Sequence, residues 1–230
     1  MRTRSPNTTG WGGPQRRWPH KLSRTRTAVD PARLLRLAER LGLSVTSLNR
    51  LGIGWAFDSG AWAFPMTDAT GGLLGIRLRL DSGRKFAVTG GREGLFIPAD
   101  LPQGGELLIA EGPTDCAALL DLGFAAVGRF CCTGGGRLVV ELVESRRPMS
   151  VVIVADADEP GQRGADTLAS VLVLYVPRLR IIKPPDGIKD ARAWKQAGVT
   201  AADLRAAIDA APIHKLRIVS KRQSQGVGHE

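Results

Sequence analysis

The spacing of hydrophobic and polar positions changes along the chain, and the first spacing is that of a helix. Apolar side chains recur at helical spacing over residues 31–41, directly after Asp30 and Pro31. Asp is favoured at a helix N-cap, Pro at the first helical position, and Gly42 is a suitable end. The same reasoning predicts a second, short helix over about residues 44–51.

From residue 54 to 98 the pattern becomes one of short alternating segments separated by Gly-containing turns. It predicts strands at 55–57, 61–66, 73–80 and 84–88. Alternation is strict over residues 76–80, so Arg77 and Arg79 share one face, and Lys85 on the next strand joins them. This cationic face is a candidate cradle for phosphates. The alternative is an ordinary solvated strand face.

From residue 106 strands and helices alternate. This order predicts a parallel sheet with right-handed crossovers, flanked by helices. The predicted strands cover residues 106–111, 125–129, 151–156 and 179–183. The predicted helices cover residues 113–122, 137–145, 160–173, 190–197 and 201–210.

The most informative stretch is the apolar run at 151–155, which ends in Asp156 and Asp158. A continuous Val/Ile-rich run predicts a strand buried on both faces, and ligands bind at the carboxyl ends of such strands. Side chains two apart on extended chain point the same way, and two adjacent carboxylates repel each other without a cation. Hard cations take oxygen ligands, which indicates Mg²⁺ or Mn²⁺. In the alternative interpretation the two aspartates only cap the next helix.

Glu111 ends the first predicted strand of this unit and is followed by Gly112. Glycine allows a sharp turn that leaves the carboxylate at the edge of the sheet. We therefore expect Glu111, Asp156 and Asp158 to converge there. Three carboxylates at one edge are costly without cations, which favours a divalent metal site.

Composition adds a charge argument. The chain has 230 residues, 43% of them hydrophobic, and a formal net charge of +10. The excess favours a polyanionic partner, with nucleic acid ahead of an anionic membrane surface. Residues 1–27 contain no acid and predict a disordered basic arm, and residues 213–230 predict a basic flexible tail. No apolar run approaches the roughly 18–20 residues of a membrane span.

The three cysteines, Cys116, Cys131 and Cys132, are an odd number with two adjacent. This excludes a complete disulfide framework and a zinc site of paired C-x-x-C type. Their apolar neighbours predict small core residues. A reducing, cytoplasmic setting is the simplest expectation.

Three separated motifs resemble the Toprim domain of primases, topoisomerases and related nucleases. They are Glu111-Gly112 with Asp115, Asp156-x-Asp158 with Gly161, and Gly187-Ile-Lys189-Asp190-Ala191. The second and third are similar to DnaG-type and phage primases in particular, which usually carry Asn or Asp where this chain has Arg192. The resemblance covers about residues 106–195 and implies a Toprim-type, Rossmann-like α/β fold.

The resemblance extends upstream, to the amino-terminal half of the primase core. It is carried by Phe64-Pro65-Met66, Asp68, Gly71, Gly75-Ile76-Arg77, Lys85-Phe86 and Gly94-Leu95-Phe96. It implies a mixed α+β subdomain at 28–104 before a Toprim domain at 105–212. That half supplies basic residues to a template and nucleotide groove, a role that fits Arg77, Arg79 and Lys85.

The implied activity is a DNA primase-like nucleotidyltransferase that makes short primers on single-stranded DNA from NTPs or dNTPs. Glu111, Asp156 and Asp158 would be catalytic and bind Mg²⁺ or Mn²⁺. Residues implied in nucleotide or template binding are Arg77, Arg79, Lys85, Asp115, Lys189 and Asp190. No zinc ribbon or P-loop motif is recognisable, so we expect a bare core of mobile-element or phage-like type, with a replicative helicase or zinc-binding domain acting in trans.

Two other functions remain open. The same acids could activate water in a Toprim nuclease, or the chain could be a degenerate nucleic-acid-binding module. A topoisomerase is less favoured because it needs a tyrosine nucleophile. The sole tyrosine, Tyr175, lies in the apolar run 171–176 and is predicted to be core.

Overall fold

The structure is a computed structural model that describes residues 29–216. The predicted basic arm and most of the predicted tail lie outside the described residues. At the start of the tail, the main-chain N–H of His214 donates to the carbonyl oxygen of Leu179 at 2.7 Å. None of the described helices is long and apolar enough to cross a bilayer.

Two short helices open the described chain, α1 at Pro31–Leu41 and α2 at Val45–Arg50. The side chain of Asp30 accepts from the N–H of Ala32, and Gly42 ends α1 with φ of 65°. The side chain of Ser44 caps α2 by accepting from Ser47. Both predicted helices, and the caps proposed for the first, are confirmed.

An antiparallel sheet follows, with strand order β1-β2-β3-β4. Its strands are β1 at Gly54–Ala56, β2 at Ala61–Thr67, β3 at Leu73–Arg79 and β4 at Lys85–Ala87. Arg79 lies opposite Lys85, and Phe64 lies opposite Arg77. Because directly opposed residues share a face, the predicted grouping of Lys85 with the two arginines is confirmed.

The second sheet is parallel and has the order β6-β5-β7-β8. Its strands are β5 at Glu106–Glu111, β6 at Ala126–Arg129, β7 at Ser150–Val154 and β8 at Leu179–Ile182. Its helices are α3 at Pro113–Asp121, α4 at Gly136–Arg146, α5 at Glu159–Leu172, α6 at Ala191–Gln196 and α7 at Ala201–Ala210. The predicted fold class, a helix-flanked parallel sheet after a smaller α+β unit, is confirmed.

Each face of the parallel sheet has its own hydrophobic core. Leu108 and Val152 belong to the core that includes α1, α3 and the buried side chains of Trp62 and Phe64. The neighbouring residues Ile109 and Val151 belong to the other core, together with α4 and α5. The central strands are therefore buried on both faces, as their continuous apolar runs predict.

The chain between β4 and β5 joins the two sheets. Leu95 pairs with Thr67 at the end of β2, and Phe96 pairs with Gly128 in β6. A Cβ atom on Gly128 would lie 2.4 Å from the carbonyl oxygen of Gly112. Only glycine permits this approach, which holds the turn after β5 against β6.

The end of β7 differs from the prediction. The strand stops at Val154, so Asp156 and Asp158 lie in the loop before α5 rather than on extended strand. Asp158 is the N-cap of α5, and Pro160 occupies its first turn. Because the N-cap must precede a helical segment, the chain leaves the strand earlier than the apolar run suggests.

Candidate active site

A cavity of about 460 Å³ lies between the carboxyl ends of the parallel strands and the cationic face of the antiparallel sheet. All the predicted site residues except Asp158 line it. The lining residues are Phe64, Arg77, Arg79, Gly83, Lys85, Glu111, Gly112, Pro113, Thr114, Asp115, Phe130, Cys131, Asp156, Lys189, Asp190 and Arg192. The structure thus brings residues from both predicted subdomains to one site.

Glu111 is the last residue of β5 and enters the cavity where the chain turns sharply. Gly112 adopts φ of 88° and is followed by Pro113, the first residue of α3. The Oε1 atom of Glu111 is buried without a hydrogen-bond partner. Burial raises the pKa of Glu111, and the nearby guanidinium of Arg129 opposes part of that rise. This carboxylate carries negative charge that its surroundings compensate incompletely.

Asp156 and Asp158 have different environments, although they are two residues apart. Burial raises the pKa of Asp156 to about 7, and the negative charges of Glu111 and Asp190 add to the effect. The side chain of Asp158 is occupied by the N–H of Gly161, which donates to it at 2.9 Å. The capping interpretation is therefore right for Asp158, while Asp156 faces the cavity. Asp158 is still close enough to Glu111 to contribute to its raised pKa.

The third motif packs against the first two through main-chain contacts. The N–H of Ala157 donates to the carbonyl oxygen of Lys189 at 2.8 Å. The N–H of Arg192 donates to the buried carboxylate of Asp115 on α3 at 3.1 Å. Burial, followed by the charge of Asp190, raises the pKa of Asp115. Three motifs that are distant in sequence are thus joined at one edge of the sheet.

The opposite wall of the cavity is cationic. The guanidinium of Arg77 lies 3.9 Å from the centre of the Phe130 ring and donates to the Phe130 carbonyl oxygen at 3.0 Å. The pKa values of Arg79 and Lys85 are lowered, first by desolvation and then by neighbouring positive charges. Within residues 29–216, neither Arg79 nor Lys85 forms an ion pair with a carboxylate. Both cations are available to an anionic ligand.

Sequence reasoning did not assign several residues in or beside the cavity to the site, and four of them affect its chemistry or shape. Arg129 is buried, attracts Glu111 and donates to the carbonyl oxygen of Cys132. It lies opposite Glu111 in the parallel register, so the alignment of the two strand ends is the signal that could have found it. Phe130 and Cys131 follow it in a loop whose path the sequence does not reveal. Arg192, noted only as a departure from the family pattern, also lines the cavity.

The cysteine prediction is correct at one position only. Cys116 is fully buried in α3. Cys131 and Cys132 are partly exposed in the loop after β6, where the chain turns at the carboxyl edge of the sheet. Their apolar neighbours in sequence do not cover them there.

The acids of the cavity fit a divalent cation in their chemistry but are not arranged as a formed metal site. Among residues 29–216, no group of three or more His, Cys, Asp or Glu side chains is arranged to hold a metal ion. The three carboxylates thus lie close enough for their charges to affect the pKa values of Glu111 and Asp156, but they do not form a cluster arranged to hold a metal ion. The unpartnered Oε1 of Glu111 and the raised pKa of Asp156 still mark uncompensated carboxylates. Such oxygen donors fit Mg²⁺ or Mn²⁺ chemically.

Comparison with known proteins gives a result for the fold alone. No protein-family model matches the chain, and none of the curated proteins is similar to it in sequence. Among solved structures it is similar to a DnaG primase catalytic domain bound to ssDNA, with a TM-score of 0.67 and 19% identity over 85% of this chain and 77% of that one. The E. coli primase catalytic core gives a TM-score of 0.64 and 18% identity over 84% and 78% of the two chains.

The similarity extends to a phage protein. The primase fragment of the bacteriophage T7 primase-helicase protein gives a TM-score of 0.60 and 17% identity, over 74% of this chain and 72% of that one. The fold is a helix-flanked parallel α/β sheet joined to a small antiparallel subdomain. This arrangement is similar to the fold of the DnaG-type primase catalytic core.

Proposed function

We propose that this chain is a primase-like nucleotidyltransferase that synthesises short primers on single-stranded DNA, using Mg²⁺ or Mn²⁺. The observation that supports this most strongly is the cavity itself. One wall carries uncompensated carboxylates, and the other carries cations that form no ion pair with a carboxylate among residues 29–216, so the cavity suits a metal–nucleotide complex. The resemblance of the fold to primase cores agrees with this chemistry.

In this proposal Glu111, Asp156 and Asp158 would hold the metal, which would neutralise charge and help to align the attacking and leaving oxygens. The raised pKa of Glu111 also suits this residue to accept a proton near the attacking 3′-hydroxyl, because a base titrating closer to neutrality transfers protons more effectively. Asp158 accepts the capping bond from Gly161 through Oδ1 alone, so its other carboxylate oxygen could bind the cation while the cap is kept.

The cations have a separate role. Lys189 lies beside Asp156 and Glu111, close enough for its charge to affect both pKa values, and would neutralise part of the triphosphate. Arg77, Arg79 and Lys85 would bind phosphates of the nucleotide or the template. Asp115 and Asp190 would act through position, because Asp115 accepts from the N–H of Arg192 and so ties α3 to α6, whereas Asp190 caps α6 by accepting from Ala193.

The proposed partners follow from the similar proteins. One related catalytic domain is bound to ssDNA, and the phage fragment belongs to a primase-helicase protein. We infer that this chain also takes single-stranded DNA as template and works with a helicase or a zinc-binding domain.

The test is primer synthesis by the purified chain on mixed single-stranded DNA, with labelled NTPs or dNTPs and Mg²⁺ or Mn²⁺. Short products from the wild type, absent with the Asp156→Ala/Asp158→Ala variant, are expected. Asp166→Ala is the matched control, since Asp166 is exposed on α5 outside the cavity. Degradation of the template without nucleotide incorporation would favour a Toprim nuclease. Chelator-insensitive DNA binding without any reaction would favour a binding module.

A further inference from the structure

Arg192 extends the cationic wall at a position where the primases that this chain resembles carry Asn or Asp. It lies in the first turn of α6, after the N-cap residue Asp190. Its main-chain N–H is fixed by the Asp115 carboxylate, while its side chain lines the cavity. The backbone of Arg192 is therefore held beside the site by a contact that a change of its side chain does not remove.

Arg79 and Lys85 are the cationic neighbours of Arg192 in the cavity. They are opposed in the register of β3 and β4, so they share the face that meets α6 across the cavity. The charge of Arg192 contributes to the lowered pKa of each. In the part of the chain that the structure describes, Arg192 also lacks an ion pair with a carboxylate. Three gathered like charges repel each other, and a polyanion relieves that repulsion.

The cavity has two electrostatically different ends. The charged groups that act on Glu111 are Arg129, Asp158 and Lys189. Those that act on Lys85 are Arg77, Arg79, Asp115 and Arg192. If the reaction takes place beside Glu111 and Asp156, the phosphates farther from the reacting centre extend toward the cationic end.

We propose that Arg192, together with Arg79 and Lys85, binds the terminal phosphates of a nucleoside triphosphate and makes the site selective for triphosphates over monophosphates. This inference rests on the proposed function, which supplies the nucleotide. Guanidinium groups suit this role because their planar donors match phosphate oxygens in pairs. A nucleoside monophosphate bound at the Glu111 end has no group to place against Arg192.

The experiment is calorimetric titration of the purified full chain with ATP, AMP and inorganic tripolyphosphate, each in Mg²⁺ buffer. The variants are Arg192→Gln, Arg192→Lys and the control Arg36→Gln. Arg36 is exposed on α1 and lies outside the cavity. We expect Arg192→Gln to weaken ATP and tripolyphosphate binding by about tenfold or more, the loss typical of one charge-assisted hydrogen bond. AMP binding should change by less than about twofold, and Arg192→Lys should recover part of the loss.

The outcomes separate this inference from the proposed function. An equal loss for ATP and AMP, or no loss for ATP, overturns the role of Arg192 and leaves primer synthesis intact. Tripolyphosphate binding that depends on Arg192, without binding of either nucleotide, supports the phosphate site and contradicts the primase proposal. If the wild type binds neither ATP nor tripolyphosphate, both the role of Arg192 and the primase proposal are overturned. A comparable loss of ATP and tripolyphosphate binding in Arg36→Gln would mean that net charge alone causes the effect, and it would overturn the assignment of Arg192.

Discussion

The two walls of the cavity are built in different ways. The carboxylate of Glu111 lies on the last residue of β5 and that of Asp156 in the loop after β7, and both are half-buried. The cations Arg79 and Lys85 lie on pleated strands at the ends of long aliphatic stems. The backbone thus fixes the acids closely, whereas the cations can adapt their charged ends to a ligand.

The walls also fail to neutralise each other. Among the ion pairs formed by residues 29–216, none joins a carboxylate of the cavity to a cation of the facing sheet. Burial raises the pKa of the acids and desolvation lowers the pKa of the cations. The charged form of each group is therefore less favourable in the cavity than in water. A cation bound by the acids and an anion bound by the bases would relieve both costs. The comparison predicts that the acid wall controls turnover and the basic wall controls binding.

The largest expected effect comes from removing one acid. Asp156→Asn should lower kcat for primer synthesis by about a thousandfold, because metal-assisted stabilisation of the transition state contributes several kcal/mol. Arg79→Gln should instead raise the KM for nucleotide with a smaller change in kcat. Steady-state kinetics on single-stranded DNA measure both. Equal effects of the two variants on kcat would contradict the division of roles.

The presence of the acid wall could be predicted from the sequence more easily than its geometry could. An apolar run followed by Asp156 predicts a strand end and a site, because buried parallel strands have a continuous apolar signature. The same run does not reveal that the strand stops at Val154, because Ala155 is apolar and buried in either conformation. The capping role of Asp158 depends on where α5 starts. Local sequence leaves that boundary open by a few residues.

The cationic wall was predicted from strand alternation and the neighbouring strand, but the residues that contact it were not predicted. Alternation fixes which face Arg77 occupies, and the hairpin register adds Lys85. That Arg77 stacks on Phe130 follows from how one sheet is set against the other. Such placement depends on tertiary packing between segments distant in sequence, for which this single chain carries no local signal. For the same reason, Arg129, which lies near Glu111, and Arg192, which lines the cavity, were not predicted.

A second prediction tests the backbone that supports the acid wall. Gly128→Ala places a Cβ atom 2.4 Å from the carbonyl oxygen of Gly112 and should lower the free energy of unfolding by about 1–3 kcal/mol. The turn after Glu111 must shift, so activity should fall as well. Gly136→Ala is the matched control, since a Cβ atom there meets nothing within 4 Å. Urea denaturation measures both, and an unchanged midpoint for Gly128→Ala would show that the close approach is not required.

A third prediction concerns the Arg77–Phe130 contact in the basic wall. Arg77→Lys keeps the charge but loses the planar group that lies over the ring and the paired donors that suit phosphate. We expect it to weaken single-stranded DNA binding nearly as much as Arg77→Gln, by roughly tenfold. Arg77→Gln should also reduce the slope of log affinity against log salt by about 1. Fluorescence anisotropy at several salt concentrations measures both. Full rescue by Lys would mean that charge alone matters.

The smallest expected effect is on stability, and its pH dependence has a definite sign. The pKa of Asp156 is raised in the fold from 3.8 to about 7, so the folded state holds this proton more tightly than the unfolded state does. The stability that comes with the protonated form is present below about pH 4 and is lost as the pH rises to about 7. In chelator, Asp156→Asn should therefore raise Tm, with a difference that grows between about pH 5 and 7 and then levels off. The gain should reach at least the roughly 2–4 °C that corresponds to 1 kcal/mol in a chain of this size.

The control for this prediction is Asp166→Asn, because Asp166 is exposed on α5 and lies outside the cavity. Its Tm difference from the wild type should not depend on pH. Added Mg²⁺ should stabilise the wild type more than Asp156→Asn, because the cation offsets the same charge that the substitution removes. A Tm advantage that shrinks above pH 7, or that Mg²⁺ leaves unchanged, would mean that Asp156 is already compensated within the fold. The acid wall would then not need a cation, and its contrast with the basic wall would be lost.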